Sequence, residues 1–359
     1  MRVEPAAIVR DRLRRQRLVG RPFENIVEAV RFLGAVQGQE YAEAKWSLGE
    51  RVAPASEADV DAALDAGAVL RTHVMRPTWH LVAAEDIRWL LELTALRVHR
   101  AVGSYYRTHE LDEAAFDRGH EAIEAALRPG EPMIRAELYA ELERAGMGED
   151  RLRLAHVIMH AELEGLICSG PRRGKQHSYA LLDDRVPPGS RLEPDEALAE
   201  LAGRYFTSHG PATVNDFSWW SGLTVAQARR GIELVGGEVE AAEDRDGRTW
   251  YAPLEPAGRA RVDGALLVPM YDESTIAYKD LRVVFATEPP RTGLLERPIV
   301  IGGRTVGSWK RVLAKGGVTV EATLFEPLDE TGRERLEAAA ERFGRFFGMP
   351  ATVAAELAA

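Results

Sequence analysis

The sequence predicts an α+β protein: tandem helix–helix–hairpin modules followed by a small β-rich C-terminal domain. Three observations carry this. A pattern of helix, short break, helix, glycine and two short β-like runs joined by a polar turn recurs at roughly residues 24–83, 130–183 and 195–254. Long runs with helical spacing link the first two copies, at residues 84–127. Beyond about residue 260 the pattern changes to strand-like runs separated by turns. A chain of 359 residues is long enough to build several small cores.

In the first copy, Ile26, Val30, Phe32 and Leu33 fall near helical spacing and predict a helix over 25–36. A second helix is expected over 41–51. Ser56 with Asp59 forms a capping-box signal for a third, ending at Gly67. VLRTHV and TWHLVA read as two strands turning around Met75, Arg76 and Pro77. In the linking helices, Trp89, Leu90, Leu93 and Leu96 make an apolar stripe expected to be core.

In the second copy, Ile134, Leu138 and Leu142 are four apart and predict a helix over 133–145, broken by Gly146 and Gly148. A helix over 151–164 ends at Gly165, and LICSG and HSYALL pair around the turn PRRGKQ. In the third, helices are expected over 195–208, 213–220 and 225–235, then strands VEAA and RTWYAPL around EDRDG. The C-terminal runs ALLVPMYDES, RVVFAT, RPIVIGG, RTVGSWKR and VTVEATLF read as strands of a partly open barrel, and 330–347 as a helix.

A helix-turn-helix with a β-hairpin is the winged-helix pattern. Its second helix suits the DNA major groove, and its hairpin reaches phosphates or the minor groove. The expected domains are 1–127, 128–192 and 193–258, one winged-helix module each, and 259–359, the β-rich domain. Such modules also serve as protein-interaction scaffolds, a use that the net charge of −10 favours. The cations are nonetheless clumped: Arg10, Arg12, Arg14, Arg15 and Arg17 in the first helix, Arg172, Arg173 and Lys175 on one hairpin, then Arg229 and Arg230, and Lys310, Arg311 and Lys315. A basic groove in an acidic body is therefore compatible with the composition.

No run of eighteen apolar residues occurs, so no membrane span is expected. The N-terminus is charged throughout and lacks the apolar core of a secretory signal. One cysteine, Cys168, fits a reducing cytoplasm and argues against a disulfide framework or a thiolate zinc site. There is no HExxH, no glycine-rich phosphate loop and no Ser-His-Asp set.

The stretches VQGQEYAEAKWSLGER, LRTHVMRPTWHLVAAEDIRWLL, LICSGPRRGKQHSYALL, YFTSHGPATVNDFSWWSGL, VPMYDESTIAYKD and IGGRTVGSWKR together resemble the bacterial winged-helix DNA-binding family that includes AlkZ-type DNA glycosylases. The resemblance runs from about Ile8 to Phe347. It implies a monofunctional glycosylase that excises bulky or cross-linked N7-alkylguanine from duplex DNA as a monomer, with no cofactor and no metal. The family's catalytic Gln-x-Gln element maps onto Gln37 and Gln39. Here the middle position is Gly38, where an aliphatic residue is usual; glycine removes a packing contact and loosens the backbone.

Two amides suit this chemistry. An N7-alkylated guanine is already cationic and leaves without protonation, so the enzyme need only hold a water and stabilise a developing positive sugar. Each glutamine offers an acceptor oxygen and two donor hydrogens. Read from spacing alone, the pair would equally serve exposed backbone at a helix end. Glu40 is expected to cap the following helix. Tyr41 and Lys45, one turn on, are candidates for stacking on a base and pairing a phosphate, whereas Trp46 reads as core.

Arg71, His73 and Arg76 on the first hairpin are candidates to face DNA, with Trp79 and His80 forming a packed corner. Arg172, Arg173, Lys175 and His177 make the strongest phosphate-contact candidate. Asp272 and Glu273, read as neighbours in a strand, would point to opposite faces and could not act as a pair; one of them is expected to order a turn or meet Lys279. The rival to an enzyme is a non-catalytic DNA-binding regulator, which would bind undamaged sites and release no base.

Overall fold

A computed structural model describes residues 3–187, 189, 191–284 and 297–358. It is a mixed α+β structure whose chain divides into two compact units. The first comprises Met1–Val60, Leu198–Trp220 and Thr224–Ala359; the second comprises Asp61–Ala197 and Ser221–Leu223. Compactness thus groups the chain differently from the sequence repeat. The boundary falls inside helix Glu57–Asp65, so the helices and hairpin of the first copy belong to different units, and the C-terminal sheet shares a unit with the first helices.

In the first unit, helix Ile26–Leu33 starts at Asn25, whose side chain accepts from the Glu28 N–H. Its buried residues Ile26, Ala29, Val30 and Leu33 follow the i, i+3, i+4, i+7 stripe. Gly34 stops it at φ +81°, a left-handed conformation, with the Trp220 side chain 3.3 Å from where a Cβ would stand. The chain then extends through Val36–Gln37 and enters helix Tyr41–Gly49.

That helix is anchored by Trp46, which is 2 % exposed. Its indole donates to the Leu267 carbonyl at 2.7 Å, and its ring meets Phe343 edge-on at 4.9 Å. Phe343 belongs to helix Glu330–Phe346, which covers a five-stranded sheet. The strand order is Ala351–Leu357, Gly317–Leu324, Arg304–Ala314, Pro298–Ile301, Ala265–Leu267. The first pair is parallel and the others antiparallel.

This C-terminal part departs from expectation in three ways. Its strands form an open sheet rather than a barrel. The strand Ala351–Leu357 was not legible. Of RVVFAT, residues 282 and 283 belong to the 3-10 turn Leu281–Val283, and 285–287 lie outside the described residues. The third copy follows the pattern, with helices Pro194–His209, Val214–Ser221 and Val225–Val235 and a hairpin of Val239–Glu243 with Thr249–Pro253.

In the second unit, strands Val69–Val74 and Arg76–Ala83 pair antiparallel, placing His73 opposite Trp79. Helix Ile87–Thr108 buries Trp89, Leu90, Leu91, Thr94, Val98 and Val102, while Leu96 is 61 % exposed. The inward face is therefore turned from the expected stripe. The second copy begins with a short strand, Met133–Ile134, ahead of helix Arg135–Arg144, where one continuous helix was expected. Helix Arg151–Leu163 and strands Ile167–Arg173 and Gln176–Leu181 complete it. Helix Glu113–Leu127 lies so close to Arg151–Leu163 that a Cβ on Gly119 would stand 2.4 Å from Val157 Cγ1.

Candidate active site and nucleic-acid interface

In the first unit the segment carrying the two glutamines runs from the end of one helix to the start of the next. Gln37 is 9 % exposed, whereas Gln39, in a bend just before Tyr41–Gly49, is exposed. Glu40 takes the N-cap position, but its side chain makes no capping hydrogen bond, contrary to expectation. The segment is held from behind by Glu273. Its Oε1 accepts the Gln37 backbone N–H at 2.8 Å, and its Oε2 accepts the Trp220 indole N–H at 2.8 Å. His209 Nε2 stands 3.5 Å from the same Oε2. Burial pushes His209 below its ordinary imidazole range.

Glu273 has this reach because MYDES is not a strand. Asp272 caps helix Glu273–Ile276, accepting from the Ser274 N–H. The two acids are buried and enter separate networks rather than meeting Lys279, whose backbone N–H donates to Asp216. Asp272 takes both Arg51 guanidinium nitrogens at 2.7 and 2.8 Å and the Ser47 hydroxyl at 2.6 Å. Burial alone would raise the Asp272 carboxyl, but the Arg51 charge and these hydrogen bonds outweigh it and hold the group below its usual range. No sequence signal connected residue 273 to residue 37, since the link spans 236 positions.

Lys45 is 5 % exposed; its ammonium forms an ion pair with Glu57 and lies 5.0 Å from the ring of half-buried Tyr41. It is therefore a structural cation in this arrangement. The clump on the first helix is also largely committed to partners within the chain, with Arg12 buried and Arg14, Arg15 and Arg17 half-buried. Arg12 donates to the Pro211 and Val283 carbonyls, Arg14 to that of Ala260 and Arg15 to that of Glu255, while Arg17 pairs with Glu28.

The second unit carries a cleft of about 470 Å³ lined by Arg71, Trp79, Arg135, Tyr139, Lys175, His177 and Tyr179 among others. Trp79 is its centre: Arg71 lies 4.2 Å and Arg135 4.7 Å from the indole. The Tyr179 hydroxyl accepts from Arg135 at 3.1 Å. Aromatic faces beside cations are what a nucleic-acid backbone and its bases require.

Of the residues expected on the first hairpin, the cleft takes Arg71, and Arg76 is half-buried at the strand start. His73 instead turns inward, 6 % exposed, with Nδ1 2.5 Å from Glu162 and its ring tilted against Trp79, centroids 4.3 Å apart. Trp79, expected as mere packing, is the cleft's aromatic platform, while His80 is buried as foreseen. The second hairpin is divided in the same way. Lys175 and His177 line the cleft, but Arg172 pairs with Asp61 and Asp65, and Arg173 forks onto Glu137 at 2.6 and 2.8 Å. Arg135, Tyr139 and Tyr179 were not anticipated; their helix and strand read as amphipathic packing.

Residues 30–346 match the family described as DNA glycosylase AlkZ-like. The chain belongs to that family. A curated relative, the interstrand DNA cross-link repair glycosylase of Streptomyces sahachiroi, is 27 % identical over 322 residues, covering 84 % of this chain and 86 % of the relative. The solved structure of Streptomyces sahachiroi DNA glycosylase AlkZ superposes with a TM-score of 0.80 over 99 % of this chain and all of that one, at 24 % identity. As an AlkZ-like protein the chain is a DNA glycosylase, a hydrolase of N-glycosyl bonds. No helix among the described residues is long and apolar enough to cross a membrane.

Proposed function

We propose that this AlkZ-like glycosylase hydrolyses the N-glycosidic bond of bulky or cross-linked N7-alkylguanine in duplex DNA, with Gln37 and Gln39 ordering the attacking water. The observation that carries this is the pair's setting: two carboxamides two residues apart, the first gripped through its backbone by buried Glu273 and the second exposed. The base is cationic before the reaction. When the C1′–N9 bond breaks, its electron pair neutralises the base, and the sugar becomes oxocarbenium-like. Amide oxygens directed at that carbon stabilise the charge, and a water held between the amides adds to it and releases a proton to solvent, leaving an abasic site.

The reaction is monofunctional. The lysine nearest the pair in sequence, Lys45, is committed to Glu57 rather than poised as an amine nucleophile. The helix–helix–hairpin copies act as winged-helix modules. The Arg71–Trp79–Arg135 cleft supplies phosphate and stacking contacts, and the protein works as a cytoplasmic monomer. A base tethered to the opposite strand cannot enter a deep pocket. The exposure of Gln39 suits a lesion that stays partly in the duplex. The name of the Streptomyces relative supports cross-linked DNA as substrate.

The test is single-turnover release of N7-methylguanine from duplex DNA, read as strand breaks after heating at alkaline pH. The Gln37→Ala and Gln39→Ala proteins should each lose at least tenfold in rate, and borohydride should trap no covalent complex. Unchanged rates in both variants would remove the pair from the mechanism, and duplex binding with no release by the wild type would leave a non-catalytic DNA-binding protein.

A further inference from the structure

The second unit gathers five of the chain's nine histidines along three helices. His99 lies on Ile87–Thr108 and His109 caps it; His120 lies on Glu113–Leu127, and His156 and His160 on Arg151–Leu163. No step of glycosidic hydrolysis uses them. At one end of this belt, His160 and Glu164 are four residues apart and share a helix face. His99 meets them from the neighbouring helix. The ligating atoms of His99, His160 and Glu164 all lie within 4.8 Å of one another, the one such group of three among the described residues. His99 Nε2 is 2.9 Å from a Glu164 oxygen.

We infer that His99, His160 and Glu164 form a binding site for a divalent transition metal, with Zn²⁺ the cation it fits. Ligand atoms bound to Zn²⁺ at about 2.0–2.1 Å stand roughly 3.3 Å apart in a tetrahedron, so the triad needs only small side-chain adjustments. Two imidazoles and one carboxylate are a zinc-type donor set and leave a position for solvent. They are a poor set for Mg²⁺, which prefers all-oxygen shells.

The surroundings are those of a built site. Each imidazole has an outer partner that orients it: the Tyr106 hydroxyl lies 2.9 Å from His99 Nδ1, and His120 Nε2 lies 3.1 Å from His160 Nδ1. A tyrosine oxygen can accept from the Nδ1–H of His99, which frees the Nε2 lone pair for a metal. Phe116 stacks on the His160 ring at 3.7 Å, and the close approach at Gly119 fixes the two helices against each other. The half-exposed Glu164 side chain leaves a route in from solvent. A metal here would clamp helices 87–108 and 151–163 and act on stability, not on the reaction.

The experiment titrates the metal-stripped full chain with Zn²⁺ alone by calorimetry, with Mg²⁺ as the comparison, and follows the unfolding midpoint. Expected are one equivalent of Zn²⁺ bound with micromolar or tighter affinity, no Mg²⁺ binding, and a midpoint that rises with Zn²⁺. Glu164→Gln, at an exposed position that leaves packing intact, should weaken Zn²⁺ at least tenfold and abolish the rise in midpoint; His99→Ala should do the same. No saturable Zn²⁺ binding, or equal binding by wild type and Glu164→Gln, overturns the site and leaves a hydrogen-bonded histidine cluster.

Discussion

Glu273 and Gln37 are joined by a 2.8 Å hydrogen bond from the Gln37 backbone N–H to a fully buried carboxyl. With Gly38 next in the chain, the backbone between the two glutamines has little side-chain packing of its own to fix it. Glu273 supplies the restraint from outside, and Trp220 fixes the second carboxyl oxygen so that the first stays aimed. Glu273 is thus a positioning residue. Glu273→Gln keeps one acceptor for two donors, and Glu273→Ala keeps none. A lost hydrogen bond to a charged or buried group is worth about 1–3 kcal/mol. Single-turnover base release should therefore fall roughly tenfold to a hundredfold, more for Ala than for Gln, while affinity for undamaged duplex is unchanged. A rate insensitive to both substitutions in a folded protein would show that this bond does not set the position of Gln37.

The neighbouring acid has a different part. Asp272 and Arg51 are fully buried and doubly hydrogen-bonded, with Gln16 accepting from the same guanidinium at 2.8 Å. Breaking such a pair by removing one partner costs about 3–5 kcal/mol. Asp272→Ala should lower stability by that order in denaturant unfolding, and the Arg51→Met, Asp272→Leu double variant should recover most of it. Because the folded-state pKa of Asp272 is depressed, its contribution is present at neutral pH and is lost as pH falls through that depressed value. Asp272→Asn should accordingly lose less stability on acidification than the wild type does. A double variant as unstable as the single would refute the pairing argument.

Glu50 gives the opposite pH dependence. Its side chain is 2 % exposed with Arg342 3.5 Å away, and burial raises its carboxyl from 4.5 to about 7 against the opposing pull of Arg342 and Arg51. The folded state therefore holds a proton that the unfolded chain has released. Its contribution is fully present below pH 4.5 and declines as pH rises toward about 7. Glu50→Gln stays neutral throughout, so its stability relative to the wild type should improve between pH 5 and pH 8. Denaturant unfolding at the two pH values checks this, and an identical difference at both would mean that Glu50 is ionised in the folded protein at pH 5.

What the sequence made legible was local. The Ser56–Asp59 capping box, Gly67 and Gly165 mark helix ends through bonds and torsions made within a few residues, and those ends stand where expected. The glutamine pair was legible as a motif. Its support was not, because Glu273 becomes a neighbour only after helix Tyr41–Gly49 docks through Trp46 onto Leu267 and Phe343. Cationic letters were equally ambiguous. Arg172 and Lys175 are three apart, yet one faces Asp61 and Asp65 while the other lines the cleft, a difference set by acids 107 or more positions away. The triad of residues 99, 160 and 164 escaped for the same reason, as its spacing matches no linear metal motif.

That division of the second hairpin yields a test of the DNA-binding surface. Lys175 is exposed at the cleft that Trp79 lines with Arg71 and Arg135, whereas Arg172 is 20 % exposed and salt-bridged at 2.8 Å to Asp61. A cation that releases a DNA counterion contributes about one unit to the slope of log affinity against log salt. A cation already paired with carboxylates contributes less, and reversing its charge sets three acids against one another. Lys175→Glu should weaken binding to any duplex, damaged or not, and flatten the salt slope by about one or more, with the unfolding midpoint unchanged. Arg172→Glu should lower the midpoint and leave the slope closer to that of the wild type. Trp79→Ala should weaken binding to single-stranded or distorted DNA more than to regular duplex, since stacking needs an accessible base face. If Arg172→Glu rather than Lys175→Glu changed the slope at constant stability, the phosphate contacts would lie on the acid-facing side of the hairpin and the cleft would not be the nucleic-acid surface.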